Sequence, residues 1–399
     1  MENKIFGHPP AADKYAFVDA AIRERKKGHL LRSLRPLVPV SATDVDAAGH
    51  ALVNFCSNDY LGLAKHPRVI AAAKDYADRF GAGATASRLV CGSFACTHAL
   101  EEKLAGLLNV ERVLVLNSGF QANTTVIPAL ADKNTLIVSD RLNHNSIIQG
   151  TRLARCTVKV APHNDVAAMR RILEDARGRH SRVLIITESV FSMDGDRADI
   201  DALAELADDF SALLIVDEAH ATGVLGAGGM GLCPGKPVDM VIGTLSKALG
   251  AFGAFVACTE KMAQYLINYC TGFIYSTALP PAVIGAVDAA LDLVPQMHRE
   301  RAELWEKVSF LRRQIKLAGF DTGLSSTQIL PVIVGGEAQT MDLAAYLEKN
   351  GILASGIRFP TVPAAMARIR LALSAAHSWE QIRHLASVIL AWKASAAAA

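Results

Sequence analysis

The sequence predicts an α/β protein with a mainly parallel central sheet, helices on both faces, a C-terminal α+β domain and an N-terminal arm. Three observations carry this expectation. Short runs rich in Val, Ile and Leu recur between residues 113 and 259, the pattern of strands buried on both faces. Helical stretches such as HALEEKLAGLL and VAAMRRILEDAR separate those runs, as in the βαβ units that build parallel sheets. At 399 residues and 51% hydrophobic composition, the chain is long enough for two or three domains around sizeable cores.

Residues 1–55 read as an arm or small domain, charged and helical in pattern through RKKGHLLRSLRPLVP and then extended around HALVNFCSNDYLGL. Residues 56–285 form the large domain, with strands expected at 113–119, 136–140, 182–189, 213–220, 239–244 and 253–259. Residues 286–399 form the C-terminal domain: a long helix within QMHRERAELWEKVSFLRRQIKLAG, then strands at ILPVIVGG and ARIRLALS with helices between and after. The run HRERAELWEK is expected to be a solvated helix face, and His98 and His377 to be helix-start or turn histidines.

Composition removes several classes of function. Lys plus Arg (41) nearly cancels Asp plus Glu (39), and no basic run interleaved with aromatics tracks a phosphate backbone, so nucleic acid is not an expected partner. No apolar run is long enough to cross a bilayer, so no membrane insertion is expected. The start MENKIFGHPPAADKYAF lacks a charged n-region followed by an apolar h-region. Seven scattered cysteines, never spaced CxxC, suggest neither a disulfide framework nor a metal site. A cytoplasmic location is the expectation.

The chemistry is concentrated where the strand-like runs end: Ser118, Asp140 with His144 just after it, Glu188 with Ser192, Asp217 with His220, and Thr244 with Lys247. Ligands of open α/β sheets bind beyond the carboxyl ends of the strands. Any one of these residues could cap a helix or turn. Together they are the parts that hold an anionic aromatic aldehyde, pyridoxal 5'-phosphate. Lys247, in TLSKALGAFGAF, is an amine among small and apolar residues, able to shed its proton in a partly desolvated site. Asp217 ends an apolar run and can face the pyridine nitrogen, favouring the protonated ring that withdraws electrons. NSGFQANTT, a glycine turn that opens a helix, offers amides to a phosphate. His144 in SDRLNHNS can cover the ring face. GAGGMG, with Gly226, Gly228 and Gly231, matches GxGxxG but runs into Cys233 and Pro234 instead of joining a strand directly to a helix, so it is read as a surface turn.

With these residues in hand, the chain resembles the α-oxoamine synthases, pyridoxal-phosphate enzymes of fold type I. The resemblance runs from about Leu31 to His377 and rests on SNDYLGLAKHP, HALEEKLA, NSGFQAN, TESVFSMDGD, DEAHATGVLG, TLSKALG, FIYSTALPP and RFPTVPAAMARIRLALSAAH in consistent order. It implies that Lys247 links to the cofactor aldehyde and serves as base, that Asp217 pairs with the pyridinium, and that His144 stacks on the ring. Ser192 and His220 would contact the ring hydroxyl, with Ser118, Gly119, Phe120 and Thr244 near the phosphate. Ser276 and Thr277 would reach the phosphate of a partner subunit, which implies a homodimer with shared active sites. Asn58 and Arg370 match the positions that hold the amino-acid carboxylate, although Arg368 shares a strand face with Arg370 and spacing alone does not separate them. Arg32 would contact the acyl substrate.

The implied reaction is condensation of an amino acid with an acyl thioester, releasing carbon dioxide and free thiol. IRFPTVP with YSTALPP resembles the members that join L-alanine to a pimeloyl thioester, carried on coenzyme A or a carrier protein, on the route to biotin. RLVCG resembles instead a ligase that uses glycine and acetyl-CoA, and a serine palmitoyltransferase stays open. Two rivals lie outside this chemistry: an aminotransferase, which RFPTVP and SAAH disfavour, and a non-catalytic partner subunit, which Lys247 disfavours.

Overall fold

The computed structural model describes residues 14–28 and 30–398. Residues 1–13, where the expectation about a secretory start falls, lie outside them. The strands, in chain order, are β1 (Val38–Pro39), β2 (Asp44–Ala47), β3 (His50–Asn54), β4 (Arg112–Leu116), β5 (Thr135–Asp140), β6 (Thr157–Ala161), β7 (Arg182–Glu188), β8 (Leu213–Asp217), β9 (Met240–Thr244), β10 (Ala254–Cys258), β11 (Ile329–Gly335), β12 (Ile352–Leu353), β13 (Ser355–Ile357) and β14 (Ala367–Ala372). Seven of them form the central sheet in the order β4-β10-β9-β8-β7-β5-β6. It is parallel except for β10, which runs antiparallel to both β4 and β9. The other six strands therefore point one way, and Leu116, Asp140, Glu188, Asp217 and Thr244 end on a common edge.

The near-continuous apolar runs follow from burial of both sheet faces. Successive side chains of a strand point to opposite faces, and here they enter two separate cores. Val113, Val115, Leu136, Val138, Ile185 and Leu214 pack into one. Leu114, Leu116, Ile137, Leu184, Ile186 and Ile215 pack into the other, with the helices Gly119–Leu130 and Asn145–Leu153. Those two helices meet closely at Gly150, where an added Cβ would lie 2.4 Å from the Asn123 carbonyl oxygen.

The smaller sheets join the chain's ends. β11, β14 and β13 form an antiparallel sheet, and β12 from the C-terminal part pairs in parallel with β3 of the N-terminal part. The SNDYLGL segment is thereby strapped to the C-terminal sheet: Phe55 and Tyr60 carbonyls accept from Ala372 and Ala375 N–H, and the Asp59 carbonyl accepts from Ser374 Oγ. His377 belongs to this strap. It is buried, stacks on Phe55 at 4.1 Å, accepts from Ser374 N–H at 2.9 Å, and burial pushes its pKa down to about 4.

Several expectations need correction. The N-terminal helix stops at Lys27, capped by Gly28, whose N–H donates to the Glu24 carbonyl, and no helix forms from Leu30 to Leu37, because glycine is a poor helix former at the end of a run. HRERAELWEK is only partly solvated: in the helix His298–Leu317, Arg301 donates to the Val294 carbonyl and Lys307 to the Ala375 carbonyl, and both are buried. The edge strand β6 was not anticipated; its TVKVA carries a lysine and is half-exposed. GAGGMG is a tight turn, with φ of +75° at Gly226, +59° at Gly228 and +102° at Gly231, but it lies at the surface only in its first half, Gly229, Met230 and Gly231 being buried.

One buried ion pair fixes the edge of the large sheet. Arg88 donates through both terminal nitrogens to Glu101, at 2.7 and 2.9 Å, and Glu101 also accepts the Val115 N–H of edge strand β4. Removing one partner of a buried pair leaves an uncompensated charge. Glu101→Ala is expected to destabilise the protein by about 3–5 kcal/mol, read from chemical denaturation. A loss within measurement error would show that Arg88 finds water or another acceptor.

Candidate active site

The common edge of the parallel strands gathers residues that lie far apart in sequence. Lys247 follows the end of β9, where the chain turns back toward β10, and its side chain is half-buried. Its Nζ lies 2.8 Å from His220 Nε2. His220 Nδ1 in turn lies 2.6 Å from the hydroxyl of fully buried Tyr60, which donates to Asn58 Oδ1 at 3.1 Å. Arg370, from β14, donates to the same Asn58 oxygen at 3.2 Å and through Nε to the Ser192 carbonyl at 2.6 Å.

Donors and acceptors along this chain have one consistent order. Tyr60 has a single proton and gives it to Asn58, so Nδ1–H of His220 donates to the Tyr60 oxygen. Nε2 is then left as an acceptor for Lys247. That order requires a neutral His220, and its environment agrees: burial, then Lys247, Arg370 and His144, push its pKa well below the usual histidine range. Lys247 is perturbed in the direction a nucleophilic amine needs. Burial lowers its pKa to about 8, against the pull of Asp217 and Glu188 and with Arg370 adding to the fall.

Asp217, at the end of β8, is buried and accepts from Asn123 Nδ2 at 2.7 Å and from Ala219 N–H at 2.8 Å. Asn123 also donates to Ser146 Oγ, which meets His144 Nδ1 at 2.7 Å. The His144 N–H is taken by Glu188. Burial lowers the His144 pKa, while Asp217 raises it and Lys247 lowers it again. Burial and then Asp217 drive the Glu188 carboxyl well above its ordinary range.

The helix Gly119–Leu130 opens at the tip of β4, with Ser118 Oγ accepting Gln121 N–H at 3.1 Å. Among the described residues, the N–H groups of Gly119 and Phe120 find no acceptor, as expected of a first helical turn. An added Cβ at Gly119 would meet nothing within 4 Å, so the turn borders open space. Ser276 accepts from Gln121 and the Thr277 carbonyl accepts from Asn117 at 3.0 Å, both within this chain. Thr244 Oγ1 lies 2.8 Å from Ser246 Oγ.

These residues fit pyridoxal phosphate on three counts. Two free amides at a helix N-terminus suit a phosphate, an amine of lowered pKa suits an aldehyde, and a buried carboxylate suits a pyridinium. In addition, the buried Asn123 Oδ1 has no partner among the described residues, a polar atom left for something else to satisfy.

Sequence reasoning left Arg368 and Arg370 unresolved, and their contacts differ. Arg368, 1% exposed, is committed to Asp194 and to the Met193 and Met366 carbonyls, whereas Arg370 joins Asn58 beside the lysine network. Arg32 stands apart. It donates to Thr361 Oγ1 at 3.2 Å and lines a cavity of about 310 Å³ with Leu30, Ile357 and Phe359. Tyr60, Asn123 and Ser146 were not singled out in the sequence, because SNDYLGL, NSGFQANTT and SDRLNHNS show only common polar residues there. Among the described residues, no group of His, Cys, Asp and Glu could hold a metal ion.

The chain is similar to known proteins along nearly its whole length. The family model for class I and II aminotransferases matches residues 50–389. A relative from Desulfosudis oleivorans is 55% identical over 381 residues, covering 95% of this chain and 99% of its own. The 8-amino-7-oxononanoate synthase of Gluconacetobacter diazotrophicus is 45% identical over 381 residues, covering 94% and 96%. Among solved structures, the serine palmitoyltransferase of Sphingomonas wittichii superposes with a TM-score of 0.90 at 28% identity, covering 98% of this chain and all of its own.

Proposed function

Because the chain belongs to the class I and II aminotransferase family, and within it to the pyridoxal-phosphate-dependent α-oxoamine synthases, we propose that this acyltransferase joins L-alanine to a pimeloyl thioester. The observation that carries the proposal is the likeness, across nearly the whole chain, to a relative named 8-amino-7-oxononanoate synthase. That product name defines the reactants. Its nine-carbon chain is a seven-carbon acyl group, whose thioester carbon becomes the ketone, plus the two carbons that alanine keeps after losing its carboxyl as carbon dioxide.

The site residues take these roles in the proposal. Ser118, Gly119, Phe120 and Thr244 would hold the phosphate, with Ser276 and Thr277 reaching that of a second copy of the chain. Asp217 would face the ring nitrogen, His144 the ring face, and Ser192 and His220 the ring hydroxyl. The bound cofactor supplies a sink for the electrons released at the amino acid's Cα. Asn58 and Arg370 would grip the substrate carboxylate, for which a guanidinium fork is suited. Lys247 Nζ, poised near neutrality, would take the Cα proton, and neutral His220 would keep an acceptor facing that amine. Arg32 would meet the acyl chain at the cavity it lines.

The proposal extends to assembly and location. Large apolar side chains are exposed at Leu89, Val90, Phe120, Phe252 and Tyr275, and Phe120 lies in the first turn of the helix that would hold the phosphate. A second copy of the chain would cover them and complete both sites, as the shared-site homodimer requires. All seven cysteines are unpaired, and no helix among the described residues is long and apolar enough to cross a membrane. Both suit a cytoplasmic enzyme.

A thiol-release assay crossing alanine, glycine and serine with acetyl, pimeloyl and palmitoyl thioesters tests the substrates. Release is expected to be fastest with alanine and pimeloyl. Preference for serine and palmitoyl would favour the activity of the serine palmitoyltransferase that superposes so well, and preference for glycine and acetyl the ligase that RLVCG resembles.

A further inference from the structure

His163 lies outside the lysine network and sits between two carboxylates. Its Nδ1 is 2.9 Å from Asp140 Oδ1, at the end of β5, and its Nε2 is 2.8 Å from Asp196 Oδ2, in the segment that follows β7. Asp140 and Asp196 are 2% and 4% exposed. A neutral imidazole has one N–H, so one carboxylate would face a lone pair; only the imidazolium donates to both. Burial opposes that charge, but the bonds to Asp140 and Asp196 outweigh it and hold the pKa up to about 9. Those two carboxylates are the charged groups acting on the ring. Neighbouring Asn164 binds both, through its N–H to Asp140 and its side-chain amide to Asp196, and Phe191 packs edge-on against the ring at 4.4 Å.

Each carboxylate controls a segment of the site. Asp140 Oδ1 also accepts Leu142 N–H at 2.7 Å, shaping the turn that leads to His144. The Asp196 carbonyl accepts Phe191 N–H at 3.1 Å, closing the loop that carries Ser192. The Ser192 carbonyl is the acceptor that directs Arg370 Nε, and Asp194 of the same loop holds Arg368.

We infer that His163, as an imidazolium bridging Asp140 and Asp196, is a positioning residue that locks residues 189–197 to the end of β5 and so holds the Ser192 carbonyl that aims Arg370. The inference rests on the reading that Arg370 grips the substrate carboxylate. Without the bridging charge, only Asn164 links the two buried carboxylates, and the loop, still bonded at Gly195 and Asp194, loses its charged tie to β5 beside Ser192. The carboxylate grip is made before and during the reaction, so loosening it removes binding common to the ground and transition states, which raises KM and leaves kcat nearly unchanged.

The test uses the cofactor-loaded enzyme, with His163→Gln, Asp196→Asn and Arg370→Lys measured in parallel. For each, the dissociation constant of the preferred amino acid is read from the change in cofactor absorbance, alongside kcat and both KM values. His163→Gln is expected to raise the amino acid's KM and dissociation constant by roughly 10-fold to 100-fold, with kcat and the thioester KM little changed. Asp196→Asn, the milder variant should the first fail to fold, is expected to move the same two quantities in the same direction. If Arg370→Lys weakens amino-acid binding while the other two variants only lower the melting temperature, His163 is structural and this inference falls alone. If Arg370→Lys leaves amino-acid binding intact, the reading of Arg370 fails and takes the inference with it.

Discussion

Lys247→Ala is expected to lower kcat by about 10⁴-fold, the upper end of what one positioned acid–base group contributes, and to remove the visible absorption of lysine-bound cofactor. Both losses follow from one atom. Lys247 Nζ is the amine beside neutral His220 whose pKa is brought down to about 8. The same perturbation has a stability consequence of known sign. The amine titrates near 8 in the folded chain and at 10.5 in the reference state, so between those values the unfolded chain holds more protons and folding gains as pH rises. Below about pH 8 both states carry the charge and the folded state bears the whole cost of burying it. Lys247→Met, which keeps the apolar stem, is therefore expected to raise the urea midpoint of the cofactor-free chain at pH 7, with the gain shrinking above pH 8 and gone by about 10.5. Retained turnover in Lys247→Ala would end the assignment of this lysine.

Asp217→Asn is expected to reduce kcat by roughly 10²–10³-fold, the range found when one preorganised electrostatic group is removed from a transition state. Asparagine keeps the shape, but its single oxygen can accept from only one of Ala219 N–H and Asn123 Nδ2, so the loss is of the charge together with one hydrogen bond. Two titrations report it independently of rate. Asp217 is the leading group that raises the Lys247 pKa against burial, so its removal should move the lysine's limb of the pH–rate profile to lower pH. It is also the charge that, after burial, drives Glu188 upward, so Glu188 should ionise more readily in the variant. An unchanged kcat, with the pH profile in place, would mean that another carboxylate faces the ring nitrogen, and Glu188 would be the first to replace.

The apolar runs told of strands because a strand packed on both faces has no position left for regular polar alternation, and β5, β7, β8 and β9 lie within the expected ranges, give or take a residue. Strand direction was less legible. β10 reads like its neighbours in sequence yet runs against them, since an apolar pentapeptide buried on both sides looks the same in either orientation. Lys247, Asp217 and His144 stood out by type and place at strand ends. Tyr60 did not. Its partner His220 lies 160 positions away, and nothing local in SNDYLGL distinguishes a hydroxyl that meets an imidazole from one that meets water.

The two arginines of ARIRLALS mark the boundary between the two kinds of information. A period of two places Arg368 and Arg370 on one face of a strand, and that much is local geometry. Which of them is consumed by Asp194 and which reaches Asn58 depends on where the loop after β7 and the N-terminal segment come to rest. By itself the sequence determined the chemical inventory and the edge of the sheet where it would collect, because residue type and backbone periodicity are properties of short stretches. The partners, protonation states and roles within that inventory were decided only by the tertiary structure, because desolvation and hydrogen bonding act between groups that the chain brings together from hundreds of residues apart.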